Sequence, residues 1–453
     1  MNCGDAPGSD FGAAVAMAVA NSITVKKIDD KHLIPVTLNT IPERSIHPMD
    51  YSLRTAVFVP GKLPVRQSCF IQWTYGQGPD TIWLMSSLTF TPAKQIVIER
   101  KHIDSWFISR AHLNIYRGCR HDCAYCDGRY EGYHVPDEFG ADIVARENAP
   151  QLLDAALNPH RKRRWRSSGY LMLGGGVSDS YQPDEKKVAL AQACLKVVLN
   201  RRQPVHILTK STLVERDLSL IRQIHDSRGA IVSMSFSGVN DELARVFEPG
   251  CPTPSKRLNT MARFAAAGVP TGMFLMPVIP GITDSAVAIG ESIRRAVEIG
   301  ASFVVFGGMT LKSGRQKDYF DAVMTGHFPA ILEQYPKIYR GDRWGGAVPA
   351  YYQRIEHRFT EAARIHRMWR RIPPRLFTNV CDADDRIQVI LGQLDYLQRA
   401  VGDRLPFGAL ARSLRKGANA PTLIEPPAYP SEQMAILREI QENGGEKWYM
   451  RYL

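Results

Sequence analysis

From about residue 110 the chain alternates short apolar runs with longer stretches of helical spacing. The runs are His112–Tyr116, Tyr170–Leu173, Val205–Thr209, Ile231–Phe236, Gly272–Val278 and Ser302–Phe306. Each ends near Gly, Ser, Lys or Pro, as buried strands do. Between them, Pro183 opens a stretch with Val188, Ala191, Leu195 and Val198 on one helical face. Ser211 is placed to cap a helix running through Leu213, Asp217, Leu220 and Ile224, and Ser255 a third that ends at Gly268. Strands alternating with helices predict parallel βα units, either doubly wound or closing toward a barrel. Either way, functional groups belong at the C-terminal ends of the strands.

Outside this region the pattern changes. Residues 1–50 show no clear period, and 51–100 hold β-rich runs at Thr55–Val59, Cys69–Thr74 and Ile96–Glu99. After about 325 the alternation stops and the spacing becomes helical, as in Ile365–Arg375 and Asp384–Arg399, with a Pro-rich connection at Ala418–Pro430. The expected division is an N-terminal extension over 1–104, a core over 105–325 and a mostly helical region over 326–453.

The chain has 453 residues, 44% hydrophobic and 23% charged, the composition of a globular protein. No apolar stretch is long enough to span a membrane, and Asp5 and Asp10 precede the apolar run Ala13–Ala20, where a secretory signal would be basic. A cytoplasmic protein is expected. The net charge of +12 favours polyanionic partners. Two basic runs with an interleaved Trp, Arg161-Lys162-Arg163-Arg164-Trp165-Arg166 and Arg367-Met-Trp-Arg-Arg371, suit phosphate contact and base stacking. Nucleic acid is therefore a candidate partner, against the plain alternative of solvated charge.

Three of the eight cysteines, Cys119, Cys123 and Cys126, crowd into one segment directly after the first apolar run. Their CxxxCxxC spacing lets three thiolates each take one iron of a cubane cluster, leaving one iron open for chemistry. A zinc site completed by His121 or His134 is one alternative, and a four-thiolate electron carrier another. Cys194 lies on the inward face of its helix and reads as core packing; Cys3, Cys69, Cys251 and Cys381 are scattered, and most of them read as small hydrophobes.

With Tyr125 before the last cysteine, this motif resembles the radical S-adenosylmethionine (SAM) superfamily. More narrowly, Asn-Ile-Tyr-Arg-Gly-Cys (114–119), Ile-Leu-Thr-Lys-Ser-Thr (207–212), Glu-Pro-Gly-Cys-Pro-Thr-Pro-Ser-Lys-Arg (248–257) and Pro-Val-Ile-Pro-Gly-Ile-Thr-Asp (277–284) resemble the radical SAM family related to spore photoproduct lyase. The resemblance covers about 105–310. It implies a partial (β/α)6 TIM-like barrel, a [4Fe–4S] cluster on Cys119, Cys123 and Cys126, and SAM as cofactor. It also implies an external one-electron donor of the flavodoxin or ferredoxin type, and hydrogen abstraction from a substrate by a 5′-deoxyadenosyl radical.

For the cofactor, the resemblance points to Tyr125, to Gly174, Gly175 and Gly176, to Ser178, to Lys210 for the carboxylate, to Ser233 and Ser235 on one strand face, and to Pro280 within an adenine-contacting stretch. Two positions depart from the lyase. Asp127 stands where it has a Tyr, and Val177 where it has a Cys hydrogen donor. Repair of the thymine dimer by that route is therefore not expected. Radical modification of a protein or small molecule is the second enzymatic reading, and an iron–sulfur carrier or sensor the reading of another class.

Overall fold

The computed structural model describes residues 24–29, 32–37, 56–58, 71–75, 82–133, 139–161, 167–341, 343–417 and 431–452. The chain forms two compact units, Met1–Thr89 with Ala141–Ile143, and Phe90–Gly140 with Val144–Leu453. In the first, Thr24–Asp29 pairs antiparallel with His32–Thr37 and parallel with Ala56–Phe58. A further antiparallel pair joins Ile71–Tyr75 to the strand that starts at Ile82.

The second unit is built on a seven-stranded sheet whose spatial order follows the chain. Its strands are β1 (Val97–Asp104), β2 (Ser109–Leu113), β3 (Tyr170–Gly174), β4 (Val205–Thr209), β5 (Ala230–Phe236), β6 (Thr271–Val278) and β7 (Phe303–Gly308). Strands β2 to β7 are parallel to their neighbours; β1 is an antiparallel edge on β2. Helices fill the connections, so this is the partial barrel that the family resemblance implies, one of the two arrangements the alternation allows. The added edge β1 takes in most of the run Ile96–Glu99, assigned from sequence to the extension. Its residues alternate too weakly between buried and exposed to reveal a sheet partner.

Several local expectations shift. The helix after Pro183 is broken at Ala189 (φ +53°) into Glu185–Val188 and Leu190–Asn200. Ser211 does cap, accepting from Leu213 N, but the turn it starts is a 3-10 segment before α-helix Leu218–Arg228. Ser255 does not cap its helix. Pro254–Ala266 starts after Thr253, with Pro254 in the first turn where its missing N–H costs nothing. The helix expected over Ile365–Arg375 instead ends at Ile365, having begun at Pro349.

The two faces of the sheet have different partners. On the outer face Met234, Phe236, Met273, Leu275, Val304 and Phe306 pack against the connecting helices and Pro349–Ile365. On the inner face Tyr170, Ile231, Phe274 and Phe303 form one core with Ile387, Leu391 and Leu394 of the C-terminal helix Ala383–Ala400. The helical tail thus fills the lower interior of the half-barrel. No helix among the described residues is long and apolar enough to cross a membrane.

Candidate functional site

The cysteine loop leaves the C-terminal end of β2. Tight turns fold it: Asp122 N donates to Cys119 O, Cys126 N to Cys123 O and Arg129 N to Cys126 O. All three thiols are free; Cys119 and Cys123 are buried and Cys126 is partly so. Burial, reinforced by the neighbouring cysteines, pushes the Cys126 thiol up to about 12 and Cys119 well above its ordinary value. Cys123 shifts the other way, lowered chiefly by the hydrogen bond from the Cys251 thiol; three thiolates on one loop are the donor set a metal cluster uses.

The loop is clamped from two sides. His121 Nδ1 lies 2.9 Å from Gly250 O and its Nε2 lies 3.1 Å from Asp179 Oδ2. Both ring nitrogens are therefore occupied, and His121 holds the loop rather than a metal. Burial disfavours charge on this imidazole, but the bond to Asp179 and its charge outweigh it and raise the pKa. Asp179 also accepts from Lys210 N and Tyr181 N at 2.8 Å and from Thr209 Oγ1, tying the ends of β3 and β4 together. Arg120 pairs with Asp184 at 2.9 Å, and Ser178 Oγ donates to Gly118 O at 2.8 Å. His134, the other possible zinc ligand, lies outside the described residues.

Gly174, Gly175 and Gly176 end β3 beside this loop. Gly174 has φ +92°, and a Cβ there would lie 2.1 Å from Leu208 O, so the close approach of β3 to β4 requires glycine. Gly175 and Gly176 are exposed, and a Cβ on Gly176 would meet nothing within 4 Å. The turn therefore presents bare backbone to open space beside the thiols.

Lys210, just past the end of β4, is the centre of a polar network on the inner face. Its Nζ donates to Ser235 Oγ at 2.6 Å, sits 3.5 Å from Glu248 Oε1 and 5.6 Å over the Tyr125 ring. Ser235 Oγ in turn donates to Met276 O at 2.9 Å. The fully buried Glu248 also accepts from Tyr125 OH and from the buried Arg257. Burial alone favours the neutral acid, but Arg257 first and then Lys210 hold Glu248 at about 2. Tyr125, Lys210 and Ser235 are thus brought together. Glu248 and Arg257 lie within the family-like phrase 248–257, yet only their burial reveals the role.

Ser233 is placed elsewhere. It is fully buried two residues deeper in β5, with its hydroxyl 2.8 Å from His206 Nε2, in the aromatic floor of the barrel. Pro280 follows β6, where its carbonyl accepts from Tyr335 OH at 3.0 Å. Cys194 is sealed in its helix, as core packing requires. Cys251 is not a scattered small hydrophobe: its sulfur lies 3.8 Å from that of Cys123. Asp127 accepts from Lys312 Nζ, and from Tyr133 OH at 2.7 Å; Val177 packs against Gly128.

The two basic runs separate. Arg370 and Arg371 are buried, Arg370 bonding Thr360 Oγ1 and Tyr452 O, while Trp369 packs on Tyr449. Arg367 is exposed but Arg370 and Arg371 are interior, so the run offers no continuous phosphate-binding surface. In the other run Arg161 is exposed and donates to Ala156 O, whereas Lys162, Arg163, Arg164, Trp165 and Arg166 lie outside the described residues.

A family profile described as the radical SAM superfamily matches residues 113–310, the stretch that carries the cysteine loop and β3 to β7. The chain belongs to the radical SAM superfamily, whose members use a [4Fe–4S] cluster and SAM and need an external electron donor. Its curated relatives include an uncharacterized protein of Methanocaldococcus jannaschii, 30% identical over 50% of this chain and 77% of the relative. An uncharacterized protein of Mycobacterium tuberculosis is 29% identical over 57% of this chain and 75% of its own length. Among solved structures, spore photoproduct lyase complexed with dinucleoside spore photoproduct aligns over 61% of this chain and 79% of the lyase, at 14% identity and TM-score 0.44. SuiB of Streptococcus suis bound to SAM covers 56% and 49%, at 10% identity and TM-score 0.31.

Proposed function

We propose that the protein is a radical SAM enzyme with its cluster on Cys119, Cys123 and Cys126, acting on an organic substrate at the mouth of the half-barrel. The observation that carries this reading is three free thiols on one clamped loop beside a bare glycine turn. Bound there, the cluster and SAM would supply radical abstraction of a hydrogen atom from the substrate.

The chain's own residues do the rest. Gly174 lets β3 approach β4, and Gly175 and Gly176 leave backbone open to the methionyl end of the cofactor. Ser178 fixes the cluster loop through Gly118. Lys210, with Ser235, offers the cation for the cofactor carboxylate. Glu248 and Arg257 hold Lys210 in place, and Tyr125 walls the site. Ser233, sealed in the floor against His206, stays out of the cofactor's reach, and Pro280 borders the adenine side. Val177 offers no S–H bond to return hydrogen, so the reaction differs from that of the lyase at that step.

A nucleic-acid substrate draws its support from the net charge of +12 and the run 161–166. Replacing Lys162, Arg163, Arg164 and Arg166 with Gln is expected to flatten the salt dependence of binding, by roughly 0.7–0.9 in log–log slope for each cation that neutralises a phosphate. Equal binding by variant and wild type at every salt concentration would leave a protein or small-molecule substrate. The central test is anaerobic incubation of reduced, reconstituted protein with SAM. Formation of 5′-deoxyadenosine and methionine is expected; an unchanged cluster EPR signal with no product would leave an iron–sulfur carrier or sensor.

A further inference from the structure

The Phe247–Cys251 segment is zipped to the cysteine loop. Ala124 N donates to Phe247 O at 2.8 Å, Gly250 N to His121 O at 3.1 Å, and His121 Nδ1 meets Gly250 O. The fit leaves no slack: a Cβ on Gly250 would lie 2.3 Å from Arg120 O and 2.9 Å from His121 Cα. This backbone contact, rather than chance packing, brings Cys251 Sγ to 3.8 Å from Cys123 Sγ. Cys251 keeps some solvent exposure, while Cys123 is only 6% exposed. The two sulfurs are already in contact, and closing to the disulfide length of about 2.05 Å takes a small side-chain movement.

We propose that Cys123 and Cys251 form a reversible disulfide when the cluster is lost, a thiol modification site that takes peroxide as oxidant. Peroxide oxidises one thiol to a sulfenic acid and releases water. The second sulfur then displaces hydroxide from it, which leaves with that thiol's proton as a second water. In sum, two thiols and one hydrogen peroxide give one disulfide and two waters. The disulfide withholds one of the three iron ligands, so oxidised protein cannot be reloaded. It also stops Cys123 short of the sulfinic and sulfonic acids, which thiols do not reverse. Reduction by a thiol returns the ligand for reassembly.

The inference rests on the cluster reading only in naming Cys123 an iron ligand. The test treats cluster-free full-length protein with hydrogen peroxide, maps its peptides without reduction, then reduces it with a thiol and reconstitutes it with iron and sulfide. Wild type is expected to lose two hydrogens in mass, to yield a peptide linking Cys123 to Cys251, and to recover nearly all its iron after reduction. Cys251→Ala, loaded normally before any peroxide, is expected to carry Cys123 as sulfinic or sulfonic acid and to recover several-fold less iron. A cross-link between other cysteines, no cross-link in wild type, or equal recovery by the variant would overturn the proposal. The wild-type peptide map decides it even if the variant folds poorly. Never-oxidised wild type that takes up no iron while the cross-link still forms would instead remove the cluster reading and leave the disulfide standing.

Discussion

The upper and lower halves of the half-barrel interior use the same strands for opposite purposes. On β5, Ser235 near the strand end joins Lys210, while Ser233, two residues below, is sealed against His206. The upper layer is ionic, with Lys210, Glu248 and Arg257 around Tyr125. The lower layer is aromatic: Phe107 stacks on Phe274 at 5.3 Å, and Tyr170, His206 and Phe303 surround them. The C-terminal helix Ala383–Ala400 explains the difference, because it fills the lower interior and leaves the strand ends free. Stability is built below and chemistry above, from residues that alternate along one strand face.

Substitution in the two layers should separate these roles. The largest effect is expected at the loop. Alanine at Cys119, Cys123 or Cys126 should abolish the cubane in anaerobically reconstituted protein, whereas Cys194→Ala keeps about four irons, the content of one cubane; iron and sulfide analysis reads this. If Cys194→Ala lost the cluster and Cys123→Ala kept it, the ligand assignment would be wrong.

Next in size are changes to stability. Phe274→Ala opens a cavity in the aromatic floor and should cost about 3–5 kcal/mol in urea unfolding while leaving iron content of the folded protein unchanged. Glu248→Ala should cost a similar amount, about 3–5 kcal/mol, because it strands the buried Arg257. It should also disturb cofactor binding, which Phe274→Ala should not.

A smaller effect is expected on the cofactor itself. Lys210→Ala should weaken SAM binding about tenfold or more, the loss of a charged hydrogen bond worth about 1.5–3 kcal/mol. Ser235→Ala should weaken it less, and Ser233→Ala should leave it unchanged. Equilibrium binding to the oxidised holoprotein measures all three. Equal losses at Ser233 and Ser235 would mean that the floor is not closed off from the cofactor.

The smallest effects are in pH dependence, and they divide by layer. Burial depresses His206 and His112 to about 4. The unfolded chain therefore binds protons that these histidines refuse, and stability falls as pH drops from about 6.5 to about 4. Glu248 sits at about 2, so its contribution is complete above the ordinary carboxylate range and is lost as pH falls through about 2. His206→Gln should roughly halve the upper slope, with His112 keeping its share. Glu248→Gln should remove only the lower one. Urea midpoints across pH distinguish them.

The sequence by itself determined the features that depend on near neighbours. Cys119, Cys123 and Cys126 lie within one loop, so their spacing alone carries their chemistry. Strand β4 falls at Val205–Thr209 as read, because a fully buried parallel strand is a continuous apolar run. The glycine turn after β3 was equally visible. Features set by distant partners were not. Cys251 meets Cys123 across 128 residues, and Glu248 meets Tyr125 across 123. Arg370 and Arg371 carry the same charge pattern as a solvated surface, and only packing against Tyr452, Tyr396 and Trp106 puts them inside. Ser233 and Ser235 share a strand face, so periodicity cannot tell them apart. Their depth in the barrel was decided by what the C-terminal helix covers, because burial is a property of the assembled chain and not of any segment of it.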